Sequence, residues 1–167
     1  LLEGSDWFEE RDERGALVAL AGRQHLTWDT EQLGLKAARV AFVVPAGSAV
    51  DRGAFANRVV MASREDGYGY LFTRIDGREY PAVQGCEKAG FRMVDAILSQ
   101  YVDVLGAPRA PAPAGVTFRE ATAADAELMA NLIDATLHHS RFHGDPLVGM
   151  DKARSIYRVW GANCVRG

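Results

Sequence analysis

Apolar positions along this chain follow two rhythms, short continuous runs and a spacing of three to four residues, and the alternation between them predicts a mixed α/β protein. Ala16 to Ala21 and Arg39 to Val44 are runs rich in Val, Leu and Phe, bounded by Gly15, Gly22 and Pro45, as strands are. Between them, Trp28 to Leu35 reads as a turn. Val50, Ala54, Phe55 and Val59 recur at helical spacing and predict an amphipathic helix ending near Gly67. Tyr68 to Ile75 then reads as a strand. Pro81 suits the first turn of a helix running to Ala89, and Gly90 tolerates the positive φ that often closes one. Phe91 to Val104 is expected as a long, bent strand, central in its sheet.

Three prolines within Pro108-Arg-Ala-Pro-Ala-Pro113 block both helix and ladder hydrogen bonding, so residues 106–115 read as a linker. It separates a first domain, residues 1–105, from a second segment, residues 116–167. In the second, Val116 to Arg119 is expected as a strand and Thr122 as an N-cap, with Asp125 three residues on. A helix is predicted from about Ala123 to Leu137, then a break at His138 to Pro146, then a helix from Asp151 to Cys164 burying Ile156, Val159 and Trp160. About 50 residues bury too little surface to stand alone. Val116, Phe118, Leu128, Leu132, Ile156 and Trp160 are therefore expected to form an apolar face that needs a cover, for example in a homodimer.

Composition narrows the function classes. Hydrophobic residues make up 48% and charged residues 25%, which is ordinary for a folded globular chain. A formal net charge of -3 argues against general attraction to nucleic acid or anionic membranes. The longest apolar runs fall far short of the roughly 18 residues a membrane helix needs, and the opening residues carry neither a basic segment nor an apolar one, so a cytoplasmic location is expected. Cys86 and Cys164 lie in no metal-ligand spacing and read as reduced, mostly buried thiols.

Several residues invite chemical readings. His138, His139, His143 and Asp145 carry ligand atoms for a metal, yet adjacent helical side chains diverge by about 100° and no second cluster completes a coordination sphere, so no metal is expected. Asp29 and Glu31 fit turn capping better than paired acid–base catalysis, and Glu87-Lys88 fits a solvated helix end. Tyr157 and Trp160 share a helical face and fit a core, with stacking on a sugar or base as the sharper alternative.

Three segments carry a resemblance. Leu26-Thr-Trp28-Asp29-Thr-Glu31-Gln-Leu-Gly34 is similar to the WDSEFFG motif of sugar-nucleotide acetyltransferases, with Gln32-Leu33 replacing two aromatics. Glu87-Lys88-Ala89-Gly90-Phe91 matches a helix-to-strand joint of that group. Phe118 to Asp125, through Ser140 to His143, to Tyr157-Arg-Val-Trp160 resembles the opening strand and first two helices of a catalytic domain. Together they resemble the GNAT N-acetyltransferase superfamily, of the dTDP-fucosamine acetyltransferase type. The resemblance implies an α/β (α+β) fold, a GNAT-like mixed and mostly antiparallel sheet flanked by helices, followed by an incomplete second GNAT domain. It implies acyl transfer from acetyl-CoA to an amine, on a small molecule such as an amino-sugar nucleotide, with Ser140, Arg141, Phe142, His143 and Tyr157 on the acceptor side and no catalytic residue assigned. No Gly-rich pyrophosphate loop is found in the chain, so acetyl-CoA, implied for a complete enzyme, is not expected to bind it tightly. The alternative is a non-catalytic GNAT-like module that pairs with a partner chain or a missing C-terminal half.

Overall fold

A computed structural model describes residues 5–45, 47–103, 105–106 and 113–166. They divide into two compact units, Leu1–Arg92 and Met93–Gly167.

The first unit is built on a four-stranded, mostly antiparallel sheet: β1 (Asp6–Arg11), β2 (Leu17–His25), β3 (Ala37–Val43) and β4 (Tyr70–Thr73), in the order β1-β2-β3-β4. β1 and β2 form a hairpin because Asp12 accepts hydrogen bonds from the N–H groups of Arg14 and Ala16, both at 2.9 Å, and Gly15 supplies φ 78°. Sequence patterning missed β1, whose six residues hold only two apolar side chains. The register explains why two suffice. Phe8 faces Ala21 and joins the core, while Trp7 lies opposite Gly22, where an added Cβ would stand 3.0 Å from the indole.

Residues 27–33, expected as a turn, form helix α1 (Thr27–Leu33) instead. Gly34 closes it at φ 72°, and the Thr30 hydroxyl accepts the N–H of Ala37 at 2.9 Å to start β3. β3 then pairs in parallel with β4 through helix α2 (Arg52–Glu65). Asp51 caps α2 by accepting from Gly53 and Ala54 at 2.9 and 3.1 Å, and these backbone donors hold its carboxyl below its usual range. Ala19, Ala21 and Val40 of the sheet pack on Phe55 and Val59 of α2, with Phe8, Phe42, Val44, Val50 and Leu71 around them. Helix α3 (Tyr80–Lys88) carries Pro81 in its first turn and packs on α2 across Gly85, which sits against Arg52. Gly90 follows at φ 90°, and the Phe91 N–H returns to the Cys86 carbonyl at 3.0 Å.

Arg23 closes one end of this unit. Its side chain is only 5% exposed, lies against the rings of Phe8 and Tyr68 (5.3 and 4.4 Å to their centroids), and donates to Asp6 and Asp66 at 2.6 Å each. Burial pulls its pKa down, but the hydrogen bonds to the two carboxylates outweigh that and leave it raised.

The strand expected at Phe91 to Val104 is not formed among the described residues; Val104 lies outside them. Its apolar residues come in adjacent pairs, Ile97-Leu98 and Tyr101-Val102, which an extended chain would display on both faces at once. From Met93 on it belongs to a unit with no strand among its described residues, and Met93, Ile97, Leu98, Tyr101 and Val102 are exposed. Residues 107–112 of the expected linker lie outside the described residues.

In the second unit a 3-10 turn over Ala123–Asp125 leads into α4 (Ala126–Thr136), and α5 (Met150–Asn163) packs against it through Ala130, Ile133, Ala153, Ile156 and Gly161. The predicted capping box is present: Asp125 accepts the N–H of Thr122 at 2.8 Å. Arg119 forks onto the same carboxylate at 2.7 and 2.8 Å and holds its pKa far below the usual range. That side-chain bond replaces the expected strand at Val116 to Arg119, which is exposed coil. Of the six residues expected to form an apolar face, Ile156 is buried, while Phe118 and Leu128 are 80% and 66% exposed and Val116, Leu132 and Trp160 are about half exposed. Val159 and Trp160 are therefore not core residues of this helix pair, and Cys164 is exposed rather than buried. Among the described residues no helix is long and apolar enough to cross a membrane.

Candidate functional site

The connection between α4 and α5, with Tyr157 of α5, gathers the five residues that the resemblance implied for an acceptor side. α4 ends as Leu137 donates to the Ile133 carbonyl at 2.8 Å. Ser140 then organises a tight turn. Its carbonyl accepts the Gly144 N–H at 2.9 Å, and its hydroxyl oxygen accepts the N–H groups of Phe142 and His143 at 3.2 and 3.3 Å. The turn requires glycine at 144, because a Cβ there would run into the carbonyl of Val94. Asp145, buried, closes the loop by accepting the Leu147 N–H at 2.9 Å.

Phe142, 2% exposed, anchors the loop against α5. Its ring meets Tyr157 edge-on at 6.0 Å, and the Arg141 guanidinium carbon lies 4.0 Å from its centroid. The His143 ring stacks on Tyr157 at 5.3 Å and 15°, and its Nδ1 lies 2.8 Å from the Ser140 hydroxyl. Burial, followed by the neighbouring charges of His138 and His139, lowers the His143 pKa and favours the neutral imidazole. Its Nε2 is buried and without a hydrogen-bond partner.

Ser140, Arg141, Phe142, His143 and Tyr157 thus form one contiguous cluster of a hydroxyl, a cation, an imidazole and two aromatic rings. The sequence showed these residue types; it did not show the Ser140–His143 bond or the burial of Asp145. The i, i+3 spacing of Ser140 and His143 across a loop is the signal that points to the bond. Tyr157 is half-buried and continues edge-on to Trp160 at 6.1 Å. Asp29 lies in the first turn of α1, buried, while Glu31 is exposed on the same helix. Two residues apart on a helix, they do not face each other. Among the described residues no group of three or more His, Cys, Asp or Glu could hold a metal ion.

The shallow hollow along α4 and α5, lined by Asp134, Asp151, Arg154, Ser155, Arg158 and Val159, is a weaker site. Its arginines are already engaged. Arg154 forks onto Asp134 at 2.8 and 2.9 Å, and Arg158 donates to Asn131 and Glu127 at 2.7 and 3.1 Å. Those bonds fasten one helix to the other and leave little charge for a ligand.

Comparison with protein-family models, with curated proteins and with solved structures finds no match to this chain.

Proposed function

We propose that this chain contributes the acceptor-side wall of a GNAT-type acyltransferase, one that transfers an acetyl or related acyl group from a CoA thioester to an amine on an amino-sugar nucleotide. The observation that carries the reading is the Ser140–Arg141–Phe142–His143–Tyr157 cluster, which joins a cationic group to stacking surfaces and hydrogen-bonding atoms. Such a combination suits a ligand that is anionic at one end and ring-shaped at the other. The resembled reaction needs an amine freed of its proton and donors for the oxyanion of the tetrahedral intermediate. The cluster supplies positioning for the acceptor; no residue is assigned to either chemical task.

Calorimetric titration of dTDP-fucosamine into the chain tests the reading. Saturable binding that weakens on Arg141→Ala is expected, while acetyl-CoA alone is expected to bind weakly, since the sequence carries no Gly-rich pyrophosphate loop. Absence of dTDP-fucosamine binding, or submicromolar affinity for acetyl-CoA, would overturn it. The exposed side chains of Phe118, Leu128, Leu132 and Trp160 favour a second reading, a module that pairs with another chain. Light scattering across a concentration series tests that: growth in mass with concentration supports it, and a strict monomer rejects self-pairing.

A further inference from the structure

The hydrogen-bond inventory of Ser140 fixes a property of the cluster that residue types alone leave open. A serine hydroxyl has two lone pairs and one proton. Both lone pairs are engaged, by the N–H groups of Phe142 and His143. The contact of 2.8 Å to His143 Nδ1 must therefore use the serine proton, because a third donor would find no lone pair. Nδ1 is then an acceptor, and a neutral imidazole that accepts at Nδ1 carries its proton on Nε2. Nε2 is also the atom that is buried without a partner. An N–H closed off from water and unmatched is costly, on the order of 1–3 kcal/mol, and an acceptor brought to it by a ligand would recover that cost.

We propose that Ser140 locks His143 in the Nε2–H form, and that this N–H anchors an acceptor oxygen of the substrate, a sugar hydroxyl or a phosphate oxygen. The inference rests on the acceptor-wall reading above. It gives His143 a definite role: a hydrogen-bond donor that selects ligands with an oxygen at this point, and not the base that takes the proton of the amine. Nε2 is covered in this arrangement, so the incoming oxygen must displace a neighbour.

Long-range 15N–1H correlation spectra of the histidine-labelled chain report the tautomer directly, with His143 identified by substitution. A protonated Nε2 and a bare Nδ1 at neutral pH are expected, and Ser140→Ala should let the other tautomer appear. A proton on Nδ1 in the unsubstituted chain would overturn the proposal without touching the acceptor-wall reading. His143→Asn keeps an acceptor for the Ser140 hydroxyl but removes the Nε2–H donor. It is expected to stay folded, with a cooperative unfolding transition, and to weaken dTDP-fucosamine on the order of tenfold, the loss of one hydrogen bond. Titration with dTDP alone separates the two oxygen sources: an equal loss assigns the bond to the nucleotide's phosphates, and a loss confined to dTDP-fucosamine assigns it to the sugar. Unchanged affinity for both ligands in a folded His143→Asn chain rejects the anchor. If neither ligand binds the wild type, the acceptor-wall reading fails and the anchor with it, while the spectra still decide the tautomer.

Discussion

Arg23 offers the sharpest stability experiment, because its burial and the exposure of its partners pull in opposite directions. The side chain is 5% exposed, but Asp6 and Asp66 are 61% and 53% exposed. Removing the arginine therefore strands no buried charge, since both carboxylates can return to water. Neutralising the two carboxylates leaves a guanidinium buried between Phe8 and Tyr68 without the two counter-charges that it bonds. Arg23→Ala deletes three methylenes worth about 0.8 kcal/mol each along with the ring contacts, so about 2–3 kcal/mol is expected. Arg23→Met restores most of the stem and should cost about 0–1 kcal/mol. The double change Asp6→Asn with Asp66→Asn should cost more, about 3–5 kcal/mol, the usual penalty for an uncompensated buried charge. Chemical denaturation followed by fluorescence in a Trp160→Phe background reads these differences, because Trp7 and Trp28 then report on the first unit alone. A methionine as damaging as alanine would show that the charge of the guanidinium and not the packing of its stem holds this end together, and a double asparagine milder than alanine would show that the buried guanidinium needs neither carboxylate.

Other consequences are equally direct. Gly85→Ala gains helix propensity of about 1 kcal/mol but sets a Cβ 2.7 Å from the Arg52 Cβ and 3.1 Å from its backbone carbon, so a net loss of about 1–2 kcal/mol is expected, whereas Gly77→Ala, with open space around it, should be near neutral by the same denaturation assay. Burial pushes the Cys86 thiol up to about 11, so a thiol reagent at pH 8 should label Cys164 promptly and Cys86 only on unfolding; equal labelling of both in the native chain would contradict the burial. The His143 pKa is lowered below its ordinary 6.5, so the unfolded chain binds the proton more readily; its contribution to stability is full above pH 6.5 and is lost as pH falls through the folded value. Thermal midpoints between pH 7.5 and 5 should therefore fall less in His143→Asn than in the wild type.

The parts of the fold that were legible in the sequence are those whose signal is local. β2, β3, β4, α2, α3, α4 and α5 announce themselves by apolar spacing, by Thr122 as a cap, and by Gly90 as a stop, while the Asp51 cap of α2 went unread. α1 was hidden because a seven-residue helix spans too few turns to show a period, and β1 because its strand character comes from pairing with β2. The error at Phe91 to Val104 has the opposite origin. High β propensity was present, but propensity without a neighbouring strand gives only an exposed apolar chain.

The candidate site shows the same division between residue type and geometry. The resemblance, and not residue spacing, put Phe142 and Tyr157 on one wall, and their edge-on contact is a property of the folded chain. The hydroxyl of Ser140 could not be placed from sequence, because it had three candidate partners within reach of one turn and its accounting closes only when all three distances are known. α4 adds a constraint of a different kind. Ala126, Ala130 and Ile133 face α5, while Leu128 and Leu132 stand on its outer side. A helix apolar on two faces is stable in water only when both are covered, so the loop that α4 delivers to the cluster is held from one side only. Any group that covers Leu128 and Leu132 would stiffen α4, and through Leu137 the turn at Ser140, so occupancy of that outer face and affinity at the cluster are expected to rise together.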